Sequence, residues 1–150
     1  GAPMSSNDRE GGRFIAIDLG GKRIGLSVSD AGAKMALGLD TIENKGEKSV
    51  LEHLRRLAVE YSPRLFVVGY PLNMDGSEGP MAEQARKFAR KIEETLGIKT
   101  ALWDERLSSL AAEGALAQSG MTRGKKKKYV DRVSAQLILQ GFLDAKHTGE

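Results

Sequence analysis

At 150 residues the chain suits one compact domain, and its 40% hydrophobic and 29% charged residues supply one real core under an ordinary solvated surface. With no cysteine, disulfides, zinc–thiolate sites and cysteine nucleophiles are excluded; with only His53 and His147, a histidine-rich metal site is unfavoured too, so a metal here would be held by oxygen. The net charge of +3 does not by itself identify a polyanionic partner, no apolar run approaches the roughly 20 residues of a membrane helix, and the N-terminus is polar where a signal peptide is apolar.

Gly1-Ala-Pro3 ahead of Met4 reads as a tag-cleavage scar within a flexible leader over residues 1–12, followed by a single domain over 13–146 and a short tail over 147–150. Phe14 to Asp18 is a short apolar run that predicts a buried strand, and Ile24 to Ser29 predicts a second strand hairpinned to it through Leu19-Gly-Gly-Lys-Arg23. A weaker third strand is expected over Ala36 to Thr41. Val50, Leu51, Leu54, Leu57, Ala58 and Tyr61 fall at helical spacing, and Pro63 ends that helix. Leu65 to Gly69 predicts a strand, Met81 to Leu96 a helix closed by Gly97, and Lys99 to Trp103 another strand. Helices are expected over Leu107 to Ser119 and Tyr129 to Asp144. The strand–helix–strand crossover requires parallel pairing of the strands that begin at Leu65 and Lys99, while the opening hairpin makes the sheet mixed.

Three carboxylates stand where chemistry is expected. Asp18 closes an apolar strand, so it reads either as a metal ligand at the sheet edge or as a turn aspartate bonding backbone amides before Gly20-Gly21. Asp104-Glu105 follows the last strand, whose end lies on the same edge if it runs parallel to the first. Alternation sends the two acids in different directions, so one is expected to reach the site; a solvated acidic turn is the plain alternative. Asp131 is placed in the first turn of the last helix, where the helix N-terminus alone would favour an anion. Taken together, Asp18, Glu105 and Asp131 suggest an oxygen site for Mg²⁺ or Mn²⁺, suited to hydrolysis of a phosphodiester.

Lys22 and Arg23 at the hairpin tip and the run Arg123-Gly-Lys-Lys-Lys-Lys128 before Asp131 are candidate phosphate contacts that also read as ordinary solvated charge, and Arg106 is a further candidate phosphate contact. Asn73, Asp75 and Gly76 belong to a Pro- and Gly-rich loop at the same edge that is expected to shape a substrate cleft. Tyr70 and Trp103 offer aromatic surface for stacking on bases, although an aromatic at a strand end is more often core.

Four segments in order carry a resemblance: Ile17-Asp-Leu-Gly-Gly-Lys-Arg-Ile-Gly25 with Ser29-Asp30, Val68-Gly-Tyr-Pro-Leu-Asn-Met-Asp-Gly-Ser-Glu-Gly-Pro80, Asp104-Glu-Arg-Leu-Ser-Ser109, and Val130-Asp-Arg-Val-Ser-Ala-Gln-Leu-Ile-Leu139. From Phe14 to Asp144 the chain resembles the YqgF/RuvX family of pre-16S rRNA nucleases and Holliday junction resolvase-like proteins. The resemblance implies an RNase H-like α/β fold with a five-stranded mixed sheet flanked by helices, and catalytic, metal-holding acids at Asp18, Glu105 and Asp131. It further implies a divalent cation and a structured nucleic-acid partner, with 5′-end processing of pre-16S rRNA at the ribosome or Holliday junction resolution as the activity. The setting would be the cytoplasm of a bacterium. Monomer and homodimer stay open, as does a non-catalytic RNA- or ribosome-binding role. Gly21 departs from the family pattern, in which a hydroxyl residue such as threonine is expected.

Overall fold

A computed structural model describes residues 12–106 and 123–148, with the side chains of the second segment described from Val133 to His147. In chain order the elements are β1 (Arg13–Leu19), β2 (Arg23–Ser29), β3 (Ala36–Glu43), α1 (Glu47–Tyr61), β4 (Pro63–Tyr70), α2 (Pro80–Leu96), β5 (Thr100–Asp104) and α3 (Arg123–Thr148). The expected helix over Leu107 to Ser119 lies outside the described residues.

The five strands form one sheet in the order β3-β2-β1-β4-β5. The first three make antiparallel pairs, whereas β1, β4 and β5 run parallel. Their connections are α1 and α2, as a parallel crossover demands. The three parallel strands therefore end at one edge, which is where the chain turns from β1 into the glycine hairpin and from β5 into Glu105.

Strand β1 is apolar on both faces because both are covered. Ile15 and Ile17 join Leu26, Val28, Phe66 and Val68 under α1 and α2, where Leu54, Phe88 and Ile92 close one core. Phe14 and Ala16 join Val67 on the other face, under Ile138, Leu139 and Leu143 of α3. Helix α1 stops as the spacing predicts: Ser62 turns left-handed (φ 49°), and Pro63 opens β4. Helix α2 begins on Pro80 and is capped by Gly97 at φ 69°.

Helix α3 is fixed to the hairpin by buried and half-buried polar contacts. Ser27 Oγ donates to the Ala135 carbonyl at 2.7 Å. Gln136 Nε2 donates to the Ala36 carbonyl at 3.1 Å, and the Ala36 N–H donates to Gln140 Oε1 at 2.9 Å. These bonds satisfy both backbone groups of Ala36, the first residue of the edge strand β3, and set the height of α3 over the sheet.

Two expectations change. Strand β3 runs on to Glu43, beyond Thr41. Helix α3 starts at Arg123 rather than Tyr129, so the basic run is helical and Asp131 lies two turns in, with no acid in the first turn. The helix N-terminus therefore does not explain Asp131, since its field fades within one turn. The run lacks apolar periodicity, but lysine is a good helix former, and the packing of Ala135 and Ile138 extends the helix through it.

Candidate active site

Asp18 is on the α3 face of β1, in phase with Phe14 and Ala16. The register places Ile17 beside Val68 and Gly69 beside Trp103, so Gly69 of β4 sits between Asp18 and the end of β5. Glu105 continues the ladder by one bond, donating its backbone N–H to the Tyr70 carbonyl at 3.1 Å. Alternation then returns the Glu105 side chain to the α3 face, the face of Trp103. Strands two apart in a sheet are separated by about 10 Å, and the Glu105 side chain crosses that gap over β4.

The crossing requires residue 69 to be glycine. A Cβ built there would meet Glu105 Oε2 at 2.6 Å and Ile138 Cδ1 at 2.8 Å. The Glu105 carboxyl thus occupies the space a side chain would fill, and it hydrogen-bonds Asp18. Its pKa is pushed up from 4.5 to about 8, first by burial, then by the Asp18 charge and the hydrogen bond to Asp18, and last by Asp104. Two carboxylates that close cannot both be ionised cheaply, so the pair holds a proton more tightly than a lone glutamate does. Gly69 is a residue the sequence reading did not single out. Its signal is an isolated glycine at the end of an apolar strand, which marks close approach of another group.

Asp104 goes the other way. Arg106 holds it through Nε at 3.0 Å and Nη2 at 2.6 Å, and this pairing lowers the Asp104 pKa. One acid of the pair therefore reaches the site, as alternation predicts. Arg106 Nη1 also donates to the Met74 carbonyl at 3.1 Å, so this guanidinium ties the strand end to the neighbouring loop as well as facing solvent in part. In that loop Asp75 accepts from Ser77 N–H and Oγ at 2.9 and 2.6 Å, and Asn73 Nδ2 donates to Ser77 Oγ at 2.9 Å. Asn73, Asp75 and Gly76 build the loop itself, and Asp75 does not join Asp18 and Glu105.

The hairpin after Asp18 is braced by Asn44, whose N–H donates to the Lys22 carbonyl at 2.8 Å and whose Nδ2 donates to the Gly20 carbonyl at 3.2 Å. Lys22 is exposed and Arg23 half-buried, in the turn that follows Asp18 and at the start of β2. The two glycines differ. A Cβ at Gly20 would be driven into the Arg23 carbonyl oxygen, whereas one at Gly21 meets nothing within 4 Å. Gly21→Thr is accordingly expected to leave stability within about 0.5 kcal/mol of wild type, while Gly20→Ala lowers the urea midpoint clearly; parallel unfolding curves check this.

Trp103 is half-buried against the α3-side core: it packs edge-on against Phe142 at 6.2 Å and over Gly141, its Nε1 buried with no partner among the described residues. Tyr70 donates its hydroxyl to Glu78 at 2.7 Å and leans on the α1–α2 core. Arg123, Lys125, Lys126, Lys127, Lys128 and Asp131 belong to α3 by their backbone, and their side chains lie outside the described residues. Asp131 is one turn before Ala135, the residue bonded by Ser27. Among the described residues no group of three acids, histidines or cysteines gathers around a point.

The donor set fits a hard divalent cation. It offers carboxylate oxygens only, and a partly buried pair that keeps a proton between its members is a place where a cation can take the proton's role.

A family model described as RuvX, Holliday junction resolvase, matches residues 12–145. The chain belongs to the RuvX family. A relative from Myxococcus xanthus is 45% identical over 89% of this chain and 88% of its own length, and one from Geobacillus thermodenitrificans is 42% identical over 89% and 99%; both bear the name "Putative pre-16S rRNA nuclease". The fold is also that of Thermus thermophilus RuvC in complex with a Holliday junction substrate (TM-score 0.56, 13% identity, 91% of this chain and 96% of that one) and of the fowlpox virus Holliday junction resolvase (0.54, 12%, 89% and 99%). The RNase H-like architecture and the five-stranded mixed sheet expected for a RuvX chain are thus the observed ones.

Proposed function

We propose that this RuvX chain is a divalent-metal-dependent nuclease that hydrolyses phosphodiester bonds of structured RNA, in 5′-end processing of the 16S rRNA precursor. The observation that carries the reading is the Asp18–Glu105 pair, drawn together across Gly69. The names of the relatives support the substrate. Asp18, Glu105 and Asp131 hold Mg²⁺ or Mn²⁺, the last from its position on α3 one turn before Ala135. A divalent cation in such a site supplies Lewis acidity, which lowers the pKa of water and neutralises charge on the phosphate. The chain's own part is positional. Glu105 would hold the cation through its carboxylate or accept the proton of the attacking water. Lys22 and Arg23 on one side and Arg123 with Lys125 to Lys128 on the other neutralise the flanking phosphates, and Arg106 does so with the face it turns to solvent.

The ribosome is the proposed partner and the bacterial cytoplasm the proposed setting; among the described residues no helix is long and apolar enough to cross a membrane. A second reading, resolution of four-way DNA junctions, is supported by the description of the family model. It would favour a homodimer, since symmetric cuts need two sites. A side-by-side assay decides. With Mg²⁺ a 5′-extended 16S precursor RNA should be cut and a four-way junction left intact, and Glu105→Gln should slow cutting by more than the roughly 100-fold typical of an outer-shell partner. Tight salt-sensitive RNA binding with no cleavage under any metal would leave a binding role alone.

A further inference from the structure

The edge that carries Asp18 and Glu105 also carries Met74, at 81% the most exposed of the large hydrophobic side chains among the described residues. Exposure alone says little, because single apolar side chains on a surface are common. The frame around this one is unusual. Residues 73–77 close on themselves: Asn73 N–H donates to the Ser77 carbonyl at 2.9 Å and Gly76 N–H to the Asn73 carbonyl at 2.8 Å, with Gly76 at φ 88°. Asp75 and Ser77 lock the turn from inside. The Met74 carbonyl is held by Arg106, which is held by Asp104 and directly follows Glu105. On the return side Tyr70 and Arg86 both grip Glu78. The loop is therefore tied to the end of β4, which runs between the two carboxylates, and to the end of β5, which leads into Glu105, and it presents an apolar tip to water at the same sheet edge.

We infer that Met74 is a wedge that enters the base stack of the nucleic acid at a helix end or branch beside the cleaved phosphate. This rests on the nuclease reading and deepens it by naming the substrate class: strands whose stacking is already interrupted. Apolar side chains inserted between base steps unstack them, and the penalty is smallest where pairing already fails. An unbranched thioether fits an irregular gap of that kind. A rigid loop keeps the ordering entropy of the tip out of the binding step.

The probe is an RNA hairpin with a single-stranded 5′ extension and 2-aminopurine at its last paired position, bound in metal-free buffer. Wild type should raise the fluorescence as that base unstacks. Met74→Ala should lose the rise and bind the hairpin about tenfold more weakly, Met74→Leu should restore both, and an unstructured RNA of equal length should bind wild type and Met74→Ala alike. An unchanged rise in Met74→Ala, or an equal loss on both RNAs, overturns the wedge. If, once Mg²⁺ is added, wild type cleaves the hairpin and Met74→Ala matches it throughout, the wedge alone falls. If wild type neither binds nor cleaves it, the nuclease reading falls as well.

Discussion

Gly69→Ala should release Glu105 from Asp18 and remove most of the activity while leaving the chain folded. The new methyl carbon would lie 2.6 Å from Glu105 Oε2, 2.9 Å from its Cδ and 2.8 Å from Ile138 Cδ1. Of these neighbours the carboxylate end is the one free to move, so the side chain swings off β4 toward solvent and the hydrogen bond to Asp18 is lost. Ile138 is fully buried and less able to give, and overpacking of this kind costs about 1–3 kcal/mol. Part of that cost is offset because a carboxyl leaves a site that penalises its charge. The decisive readout is therefore the titration of Glu105, followed by NMR in metal-free buffer. It should fall from about 8 toward the 4.5 of an ordinary glutamate. Mn²⁺ affinity measured by calorimetry should fall roughly 10- to 100-fold in parallel. A simple loss of stability would not move the titration, so a Glu105 pKa still near 8 in Gly69→Ala would mean that the glycine does not admit the carboxylate.

What sequence reveals here follows from the range of each interaction. The hairpin, the crossovers and the two helices between strands were legible because each depends on spacing within one segment: Phe14 to Asp18, Val50 to Tyr61 and Met81 to Leu96 state their own period. The meeting of Asp18 and Glu105 was legible one step further on, because strand direction and alternation fix which edge and which face each acid occupies. Gly69 was not, since its role is set by a side chain from the neighbouring strand crossing above it, and no periodicity within β4 records that. Arg106 reads as a phosphate contact from sequence, yet its partner, Asp104, is only two residues away. A local carboxylate competes with a phosphate for the same guanidinium, and residue type alone does not show which wins. The far half of β3 carries exposed residues without clean alternation because it is an edge strand, and the Lys-rich start of α3 has helix propensity without an apolar face. Placing Asp131 beyond the first turn removes the electrostatic reason for an acid there and leaves its position one turn before Ala135 as the feature to explain.

Asp18→Asn tests the pair itself, and its expected effects on stability and on activity have opposite signs. In wild type without metal, the folded chain holds a proton on Glu105 that the unfolded chain has released above about pH 4.5. Because the folded state binds more protons, stability from this group is complete below that value and is lost as pH rises through the window up to about 8. The neutral amide of the variant would remove the like charge, the second cause of the shift, and leave burial, the first. The Glu105 pKa then falls part of the way, the window narrows, and the alkaline loss shrinks. In chelator at pH 8.5 the variant should melt above wild type. With Mg²⁺ the order should reverse, because a ligand that binds the folded state stabilises it by RT ln(1 + [L]/Kd) and the variant has lost a charged donor. Cleavage should fall with that affinity. The site would then be a point where charge repulsion is retained in the metal-free protein because the same two carboxylates would hold the cation that the reaction needs. Melting curves for both proteins, with and without Mg²⁺ at pH 8.5, would show the crossing; a variant that melts lower under both conditions would mean that Asp18 serves the fold rather than the cation.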